Sequence, residues 1–123
     1  MKQVLVTGGS RGIGAATVRA FAQAGCAVSF FYEKSHEQAR QLAHETGAQA
    51  ICCDVADGAA VQAAFAELPA LDVLVNNAGI AHYGLISQIT EAEWDRLFAV
   101  NVKGIYHCVN AALPGMLHRQ SGC

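Results

Sequence analysis

Short apolar runs, rich in β-branched and aromatic residues, alternate along this chain with longer stretches of helical period. Such alternation is typical of a parallel sheet in which each strand is followed by a helix that crosses back over the sheet. The predicted strands span residues 4–7, 27–32, 49–54 and 71–76, and the predicted helices span 12–23, 35–46, 57–67 and a long segment from about residue 90. The pattern predicts a doubly wound α/β fold of four strand–helix units in one domain, residues 1–123.

The ends of the predicted helices carry capping signals. A hydroxyl residue followed three positions later by Glu or Gln can form a capping box, in which both side chains accept from backbone amides. Two such pairs are present, Ser35 with Gln38 and Thr90 with Glu93. Gly25 and Gly47 follow the first two helices, where a left-handed residue is common. Pro114 interrupts the apolar pattern of residues 102–117, and we expect the last helix to kink there rather than end early.

Composition excludes several classes of protein. The chain is 53% hydrophobic and 15% charged, with a formal net charge of −2. Such an apolar chain is not intrinsically disordered, and a pI near 6.2 does not supply the basic surface that nucleic-acid binding requires. Polar residues interrupt every apolar stretch before the roughly 20 residues that cross a membrane, and the N-terminus lacks a signal-peptide core. We therefore expect a cytoplasmic protein that binds neither nucleic acid nor membranes.

The cysteines and histidines indicate neither a disulfide framework nor a metal site. The five cysteines form an odd set without a Cys-x-x-Cys pair, so we interpret them as free thiols. Cys108 lies on an apolar helical pattern and is predicted to be a core residue. The five histidines are scattered without the spacing of metal ligands, which favours surface or packing roles.

A glycine-rich turn connects the first strand to the first helix. It reads Thr7-Gly8-Gly9-Ser10-Arg11-Gly12-Ile13-Gly14. Glycines let a backbone approach a pyrophosphate closely, and the amides and dipole of a helix N-terminus attract its negative charge. An ordinary flexible turn is the alternative, but a strand before the turn and a helix after it favour nucleotide binding.

The spacing of these glycines, Gly-x-x-x-Gly-x-Gly behind Thr7, resembles that of the short-chain dehydrogenase/reductase family. Three further matches follow in the order of that family: Asp54-Val55 after the third strand, Asn76-Asn77-Ala78-Gly79 after the fourth, and Asn101 within Phe98-Ala99-Val100-Asn101-Val102-Lys103-Gly104. Together they cover essentially the whole chain. The resemblance implies a Rossmann-type sheet with the strand order 3-2-1-4.

The resemblance also implies roles for individual residues. The pyrophosphate would be lined by Gly8, Ser10, Gly12, Ile13 and Gly14. Asp54 would accept from the adenine amino group and Val55 would pack against the ring, although a simple turn aspartate explains Asp54 equally. The ribose would be positioned by Asn76, Ala78 and Gly79.

Asn101 is the one catalytic residue that the resemblance carries over to this chain. In the family it holds a water in the proton relay and kinks the following helix. The alternative is an asparagine that only satisfies neighbouring backbone groups.

Coenzyme choice depends on charge near the end of the second strand. A 2′-phosphate needs cations, whereas the ribose hydroxyls of NAD prefer a carboxylate. Arg11, Lys34 and Ser35 could pair with a phosphate, and Tyr32 stands where NAD-preferring relatives place Asp. Glu33 favours NAD(H). Two cations and a hydroxyl against one carboxylate favour NADP(H), with NAD(H) as the alternative.

The catalytic Ser and the Tyr-x-x-x-Lys pair of the family are missing. The tyrosines are Tyr32, Tyr83 and Tyr106, and none has Lys four residues later. One hypothesis is therefore the N-terminal half of an NADPH-dependent reductase of carbonyl or acyl substrates, similar to 3-oxoacyl-acyl-carrier-protein reductases. A second is a non-catalytic nucleotide-binding fragment, and a third is a flavodoxin-like module, which the Asn-Asn-Ala-Gly motif disfavours.

A sheet truncated after four units has further consequences. We expect a bare edge at the fourth strand and a marginally stable chain. The apolar face formed by Val102, Ile105, Val109 and Leu113 is either a surface for homo-oligomers or packs against this chain's own sheet.

Overall fold

The computed structural model describes residues 1–123 and contains one parallel four-stranded sheet. Its strands are β1 (Gln3–Thr7), β2 (Ala27–Tyr32), β3 (Gln49–Cys52) and β4 (Val73–Val75). Their order is β3-β2-β1-β4, which confirms the predicted fold and excludes the flavodoxin-like order. β3 ends two residues earlier than predicted because the chain turns at Asp54, whose carbonyl accepts from the amide of Asp57 at 3.0 Å.

Five α-helices connect and flank the strands. They are α1 (Gly12–Gln23), α2 (His36–Thr46), α3 (Gly58–Ala66), α4 (Glu91–Phe98) and α5 (Gly104–Arg119). A 3₁₀ turn (Ile86–Gln88) precedes α4, and a π-helical turn (Ala99–Lys103) separates α4 from α5. None of these helices combines the length and the apolarity that crossing a lipid bilayer would require.

The helices cover both faces of the sheet because side chains alternate along each strand. Val4 and Val6 belong to one apolar cluster, whereas Leu5 between them belongs to the other. The first cluster adds residues of α1 and α2, namely Ala15, Val18, Ala39 and Leu42. The second adds residues of α3 and α5, with Val61 and the buried Cys108. This two-sided burial is what a doubly wound sheet requires, and it confirms Cys108 as a core residue.

Only one of the two predicted capping boxes forms. Thr90 Oγ1 accepts from the amide of Glu93 at 3.1 Å, and the Glu93 carboxylate accepts from the amide of Thr90 at 3.3 Å. The box predicted at Ser35 is wrong: its side chain makes no capping bond, and its ψ of 62° is far from the extended backbone that an N-cap normally adopts. Gly25 and Gly47 have the expected positive φ values, 87° and 77°.

The long helix predicted from about residue 90 is divided by a π-helical turn over residues 99–103. The π-helical turn there interrupts the regular hydrogen-bond ladder between α4 and α5. α5 continues through Pro114 to Arg119, so the helix does not end early. Pro114 is tolerated on an exposed face, where water can solvate the carbonyl that its missing N–H leaves free.

The face formed by Val102, Ile105, Val109 and Leu113 lies outside the buried core, although Val109 and Leu113 border a groove beside Leu74 of β4. All four side chains are exposed, so the prediction that they pack against this chain's own sheet is wrong. The opposite side of α5 packs there instead, through Cys108 and smaller residues such as Ala111 and Ala112. The apolar face of α5 is therefore a surface feature of this chain.

The outer edge of β4 is partly covered by the C-terminal residues. After α5 the chain reverses at Gln120, whose φ is 54°. The amide of Leu74 donates to the carbonyl of Cys123 at 2.8 Å, and the amide of Cys123 donates to the carbonyl of Asp72 at 3.0 Å. Arg119 also donates to the carbonyl of Leu71. The expectation of a bare edge at the fourth strand is therefore wrong, because Cys123 of the tail pairs with β4 in the parallel sense.

Candidate functional site

A cavity of about 520 Å³ opens at the carboxyl ends of the strands. It lies beside the point where the strand order reverses between β1 and β4, which is where open α/β sheets bind ligands. Every predicted coenzyme-contacting residue except Asn76 lines this cavity. The fold thus gathers residues from four separate strand–helix connections into one site.

The floor of the cavity is the glycine-rich turn before α1. The amides of Gly12, Ile13 and Gly14 precede the first hydrogen bond of the helix, and Arg11 at the N-cap makes no side-chain bond to them. These donors and the positive end of the helix dipole therefore face the cavity without a protein partner. Ile13, the one large apolar residue of this turn, is exposed and also lines the cavity.

Two glycines of the turn leave no room for a side chain. Gly8 has a φ of 63°, and a Cβ atom there would lie 2.8 Å from the Cα of Ala78. A Cβ atom on Gly14 would lie 2.0 Å from the carbonyl oxygen of Gly8. The turn is therefore folded tightly on itself and against the residues after β4, which keeps its amides directed at the cavity.

Thr7 and Asn77 hold this turn against the end of β4. The buried Thr7 hydroxyl accepts from the amides of Asn77 at 3.1 Å and Ala78 at 2.9 Å. In return, the Asn77 side-chain amide donates to the carbonyl oxygens of Thr7 at 3.1 Å and Gly8 at 3.0 Å. Four hydrogen bonds thus join the first and the last strand of the sheet at the cavity.

The other end of the cavity contains an ion-pair network. Arg96 of α4 donates to the carboxylates of Asp54 at 2.9 Å and Glu33 at 3.0 Å. The second oxygen of Asp54 accepts from the amide of Ala56 at 3.0 Å. Burial acts to raise the pKa of Asp54, but the hydrogen bonds from Arg96 and Ala56 outweigh it and hold that pKa below its usual value. The hydrogen bond to Asp54 raises the pKa of Arg96 further, so both groups stay charged.

Several other side chains complete the lining of the cavity. The hydroxyl of Tyr32 lies 3.2 Å from Nδ1 of His36, and the two rings meet edge to face. Cys53 lines the cavity, and burial raises its pKa to about 11, so it remains a neutral thiol near pH 7. Arg11, Lys34 and Ser35 also line the cavity, and the two cations are exposed.

Asn101 lies behind the cavity rather than on its wall. Its side-chain nitrogen donates to the carbonyl of Ile80 at 2.8 Å, and its side-chain oxygen accepts from the amide of Ile80 at 2.8 Å. These are the bonds expected of an asparagine that satisfies neighbouring backbone groups. Because Ile80 and Gly79 line the cavity, Asn101 positions the loop that closes it on this side.

The structure also identifies cavity residues that the sequence did not single out. They are Phe31, Cys53, Asn77, Ile80 and Val100, with Arg96 adjacent through its ion pairs. Glu33, which the sequence indicated as the carboxylate favouring NAD(H), also lines the cavity. Asn76, by contrast, lies outside the cavity in a groove between β4 and α5. Successive residues of an extended segment point to opposite sides, which is why only one of two adjacent asparagines can face the cavity. This alternation was the sequence signal that could have shown that Asn76 and Asn77 do not both face the cavity.

Comparisons with known proteins agree with this geometry. Residues 2–123 match the family described as short chain dehydrogenase. A cyclic-di-GMP-binding biofilm dispersal mediator protein of Escherichia coli is 47% identical over 106 residues, covering 86% of this chain and 45% of that protein. A 3-oxoacyl-[acyl-carrier-protein] reductase of Staphylococcus aureus is 40% identical over 130 residues, covering 98% and 53%.

Solved structures give the same result. The crystal structure of BdcA in complex with NADPH is 45% identical and superposes with a TM-score of 0.88, covering 92% of this chain and 46% of that one. This chain spans about half the length of the curated relatives that it matches. With the strand order, the glycine turn and these matches together, the chain belongs to the short-chain dehydrogenase family.

Proposed function

We propose that the cavity binds NADP(H), and that the chain supplies the coenzyme-binding part of an oxidoreductase that transfers hydride between NADPH and a carbonyl or hydroxyl group. The observation that carries this proposal is the open row of amides at Gly12, Ile13 and Gly14, in a cavity that two cations, Arg11 and Lys34, also line. A helix N-terminus of this kind is a ready site for a pyrophosphate.

The residues fit the coenzyme in shape as well as in charge. The absence of side chains at Gly8 and Gly14 lets the turn approach a ligand closely, and the cavity volume lies in the range of small-molecule sites. In this proposal Ser10 and the amides of the turn hold the pyrophosphate. Ala78 and Gly79, with Asn77 behind them, border the ribose, while Asn76 points away from it.

Asp54 and Val55 would hold the adenine. Val55 is a buried apolar residue on the cavity wall, suited to the face of a ring. Both oxygens of the Asp54 carboxylate already accept one hydrogen bond, but each keeps a second lone pair for an amino group. The ion pair with Arg96 keeps that carboxylate charged and fixed in direction.

The proposed preference for NADP(H) rests on Arg11 and Lys34. Both line the cavity, and neither makes an ion pair in the structure, so their charges are available to a 2′-phosphate. The hydroxyl of Ser35, which does not cap α2, is a further donor. NAD(H) remains the alternative if Glu33 contacts the ribose instead.

When bound, NADPH would supply the hydride, and a small carbonyl or acyl compound would accept it. Reduction of a 3-oxoacyl-acyl-carrier-protein is the specific candidate, supported by the 40% identity with a reductase of that name. These 123 residues contain no Tyr-x-x-x-Lys pair to donate the proton. We therefore propose that this chain by itself binds the coenzyme without turnover, and that the exposed face of α5 mediates self-association.

The first experiment is titration of the 123-residue chain with NADPH and with NADH, followed by nucleotide fluorescence, with an assay for carbonyl-dependent NADPH oxidation. We expect binding with a preference for NADPH and no turnover. Arg11→Gln and Lys34→Gln should each weaken NADPH binding and leave NADH binding unchanged. Arg19→Gln is the matched control, because Arg19 is an exposed cation of α1 outside the cavity.

Binding of neither nucleotide would contradict the proposed coenzyme site. A preference for NADH would select the alternative coenzyme. Carbonyl-dependent turnover by the 123-residue chain would show that the missing Ser, Tyr and Lys are replaced by groups within it.

A further inference from the structure

Arg96 joins the ends of two strands at the proposed coenzyme site without lining the cavity. Its Nη1 atom donates to Asp54, which follows β3, and its Nη2 atom donates to Glu33, which follows β2. The guanidinium is held between the two carboxylates, partly exposed. No motif of the glycine turn or of the Asn-Asn-Ala-Gly segment includes Arg96.

The charges on the cavity wall balance without Arg96. Arg11 and Lys34 contribute two positive charges, and Glu33 and Asp54 contribute two negative charges. Arg96, which does not line the cavity, supplies a third cation that contacts both carboxylates. The wall therefore has a net positive charge only when Arg96 is in place, and attraction of a phosphate dianion depends on that sum.

The charge and the orientation of Glu33 affect which coenzyme the cavity prefers. A free carboxylate at the end of the second strand accepts from the ribose hydroxyls of NAD and repels a 2′-phosphate. In this structure Glu33 is instead directed to Arg96, with an N–O distance of 3.0 Å. Its charge is offset, and one of its carboxylate oxygens is bound to Arg96, before any coenzyme arrives.

We propose that Arg96 is a positioning residue that sets coenzyme preference, by engaging Glu33 and thereby making the cavity selective for a nucleotide with a 2′-phosphate. The inference rests on the proposed function, because it concerns the same cavity. It assigns the preference to a residue of α4 that does not line the cavity itself. Arg96 acts through Glu33 and needs no contact with the coenzyme.

The test is the ratio of the NADH and NADPH dissociation constants for the 123-residue chain and its variants. Arg96→Gln frees Glu33 and should lower the preference for NADPH roughly fivefold, the size of a partly exposed ion pair. Glu33→Gln should raise the preference, because Arg96 then adds uncompensated positive charge. The double variant should return the ratio close to that of the parent chain.

Two further variants separate a specific effect from a structural one. Arg96→Lys keeps the charge but not the two-pronged geometry, and should retain part of the preference. Arg19→Gln removes an arginine that pairs with Glu45 at 3.0 Å outside the cavity, and should leave the ratio unchanged. If the role of Arg96 were merely structural, Arg96→Gln would weaken the binding of NADPH and of NADH in the same proportion.

The outcomes distinguish the inference from the proposed function. An unsubstituted chain that binds neither nucleotide contradicts both. A chain that prefers NADPH, with the same ratio in Arg96→Gln, contradicts the inference alone. If Arg96→Gln fails to fold, Glu33→Gln decides: an unchanged or lower preference for NADPH overturns the inference.

Discussion

Two strands of this sheet contain the same tripeptide in matched positions. Val4-Leu5-Val6 of β1 pairs in register with Val73-Leu74-Val75 of β4. The three residues of β1 are at most 1% exposed, whereas all three residues of β4 are only half-buried. β1 lies between β2 and β4, while β4 has a strand on one side only. Position in the sheet, rather than residue type, therefore determines burial here.

The difference extends to the surroundings of the two strands. β1 ends in the buried Thr7 and leads into the glycine turn, where four hydrogen bonds join it to Asn77 and Ala78. The outer side of β4 faces a groove lined by apolar residues of α5, including Leu113 and Leu117. At the cavity, hydrogen bonds hold the end of β1 against the residues after β4, whereas the outer side of β4 presents an apolar groove.

Truncation of the two matched leucines should give the largest difference in stability between a change in β1 and the same change in β4. Leu5→Ala leaves a cavity in a fully buried site and should lower the free energy of unfolding by about 3 kcal/mol. Leu74→Ala removes a half-buried side chain and should cost about 1 kcal/mol. Urea denaturation followed by circular dichroism measures both. Equal losses would mean that β4 is as well packed as β1.

Substitution of the two adjacent asparagines tests the connection between the strands. Asn77→Ala removes both side-chain bonds to the glycine turn and should cost about 2 kcal/mol of stability, with weaker NADPH binding. Asn76→Ala is the matched control, because that side chain is exposed and outside the cavity. We expect it to change stability by less than about 0.5 kcal/mol. The same loss of stability in both variants would show that the side chain of Asn77 does not make the connection between the two strands.

Acid should lower the stability of the folded chain through Asp54 at the cavity. Because the folded-state pKa of Asp54 is lowered, its contribution to stability is present above pH of about 4, near the unfolded pKa, and is lost as pH falls through the folded pKa. Asp54→Asn should therefore show a shallower loss of stability between about pH 5 and pH 3. Asp95→Asn, at an exposed residue of the same helix as Arg96, serves as control. Parallel pH curves for the Asp54 variant and its parent would exclude this contribution.

Removal of the C-terminal tail should have the smallest effect, confined to β4. Deletion of residues 121–123 leaves the amide of Leu74 without its acceptor, the carbonyl of Cys123. We expect faster hydrogen exchange at Leu74 and a stability loss of about 1 kcal/mol or less. The amide of Asn77, which donates to Thr7, is the internal control. Faster exchange at both amides would show that the tail supports the whole sheet.

Local patterns predicted the fold well because they are repeated in every unit. Short apolar runs between stretches of helical period predicted four strands, and the strand order followed from the family resemblance. The box at Thr90 and Glu93 forms as predicted because its geometry depends only on adjacent residues. The same signal failed at Ser35, where the backbone leaving β2 does not adopt the extended form of an N-cap.

The candidate site was predicted less completely for a different reason. The glycine turn, Asp54 and Val55 could be identified because each is a contiguous motif at a strand end. Arg96 could not, because its contacts lie 42 and 63 residues away along the chain. Whether Asn76 or Asn77 faces the cavity depended on one residue of register, which a motif does not specify.

The amino-acid sequence by itself determined the order of the elements, the tight glycine turn and the charges available near it, since these depend on short-range sterics and residue chemistry. Tertiary structure alone decided how those charges are used. It brought Arg96 against Glu33 and Asp54, and it made identical tripeptides a buried centre in β1 and a half-buried edge in β4. Contacts between distant segments exist only once the sheet has formed, so no local pattern encodes them.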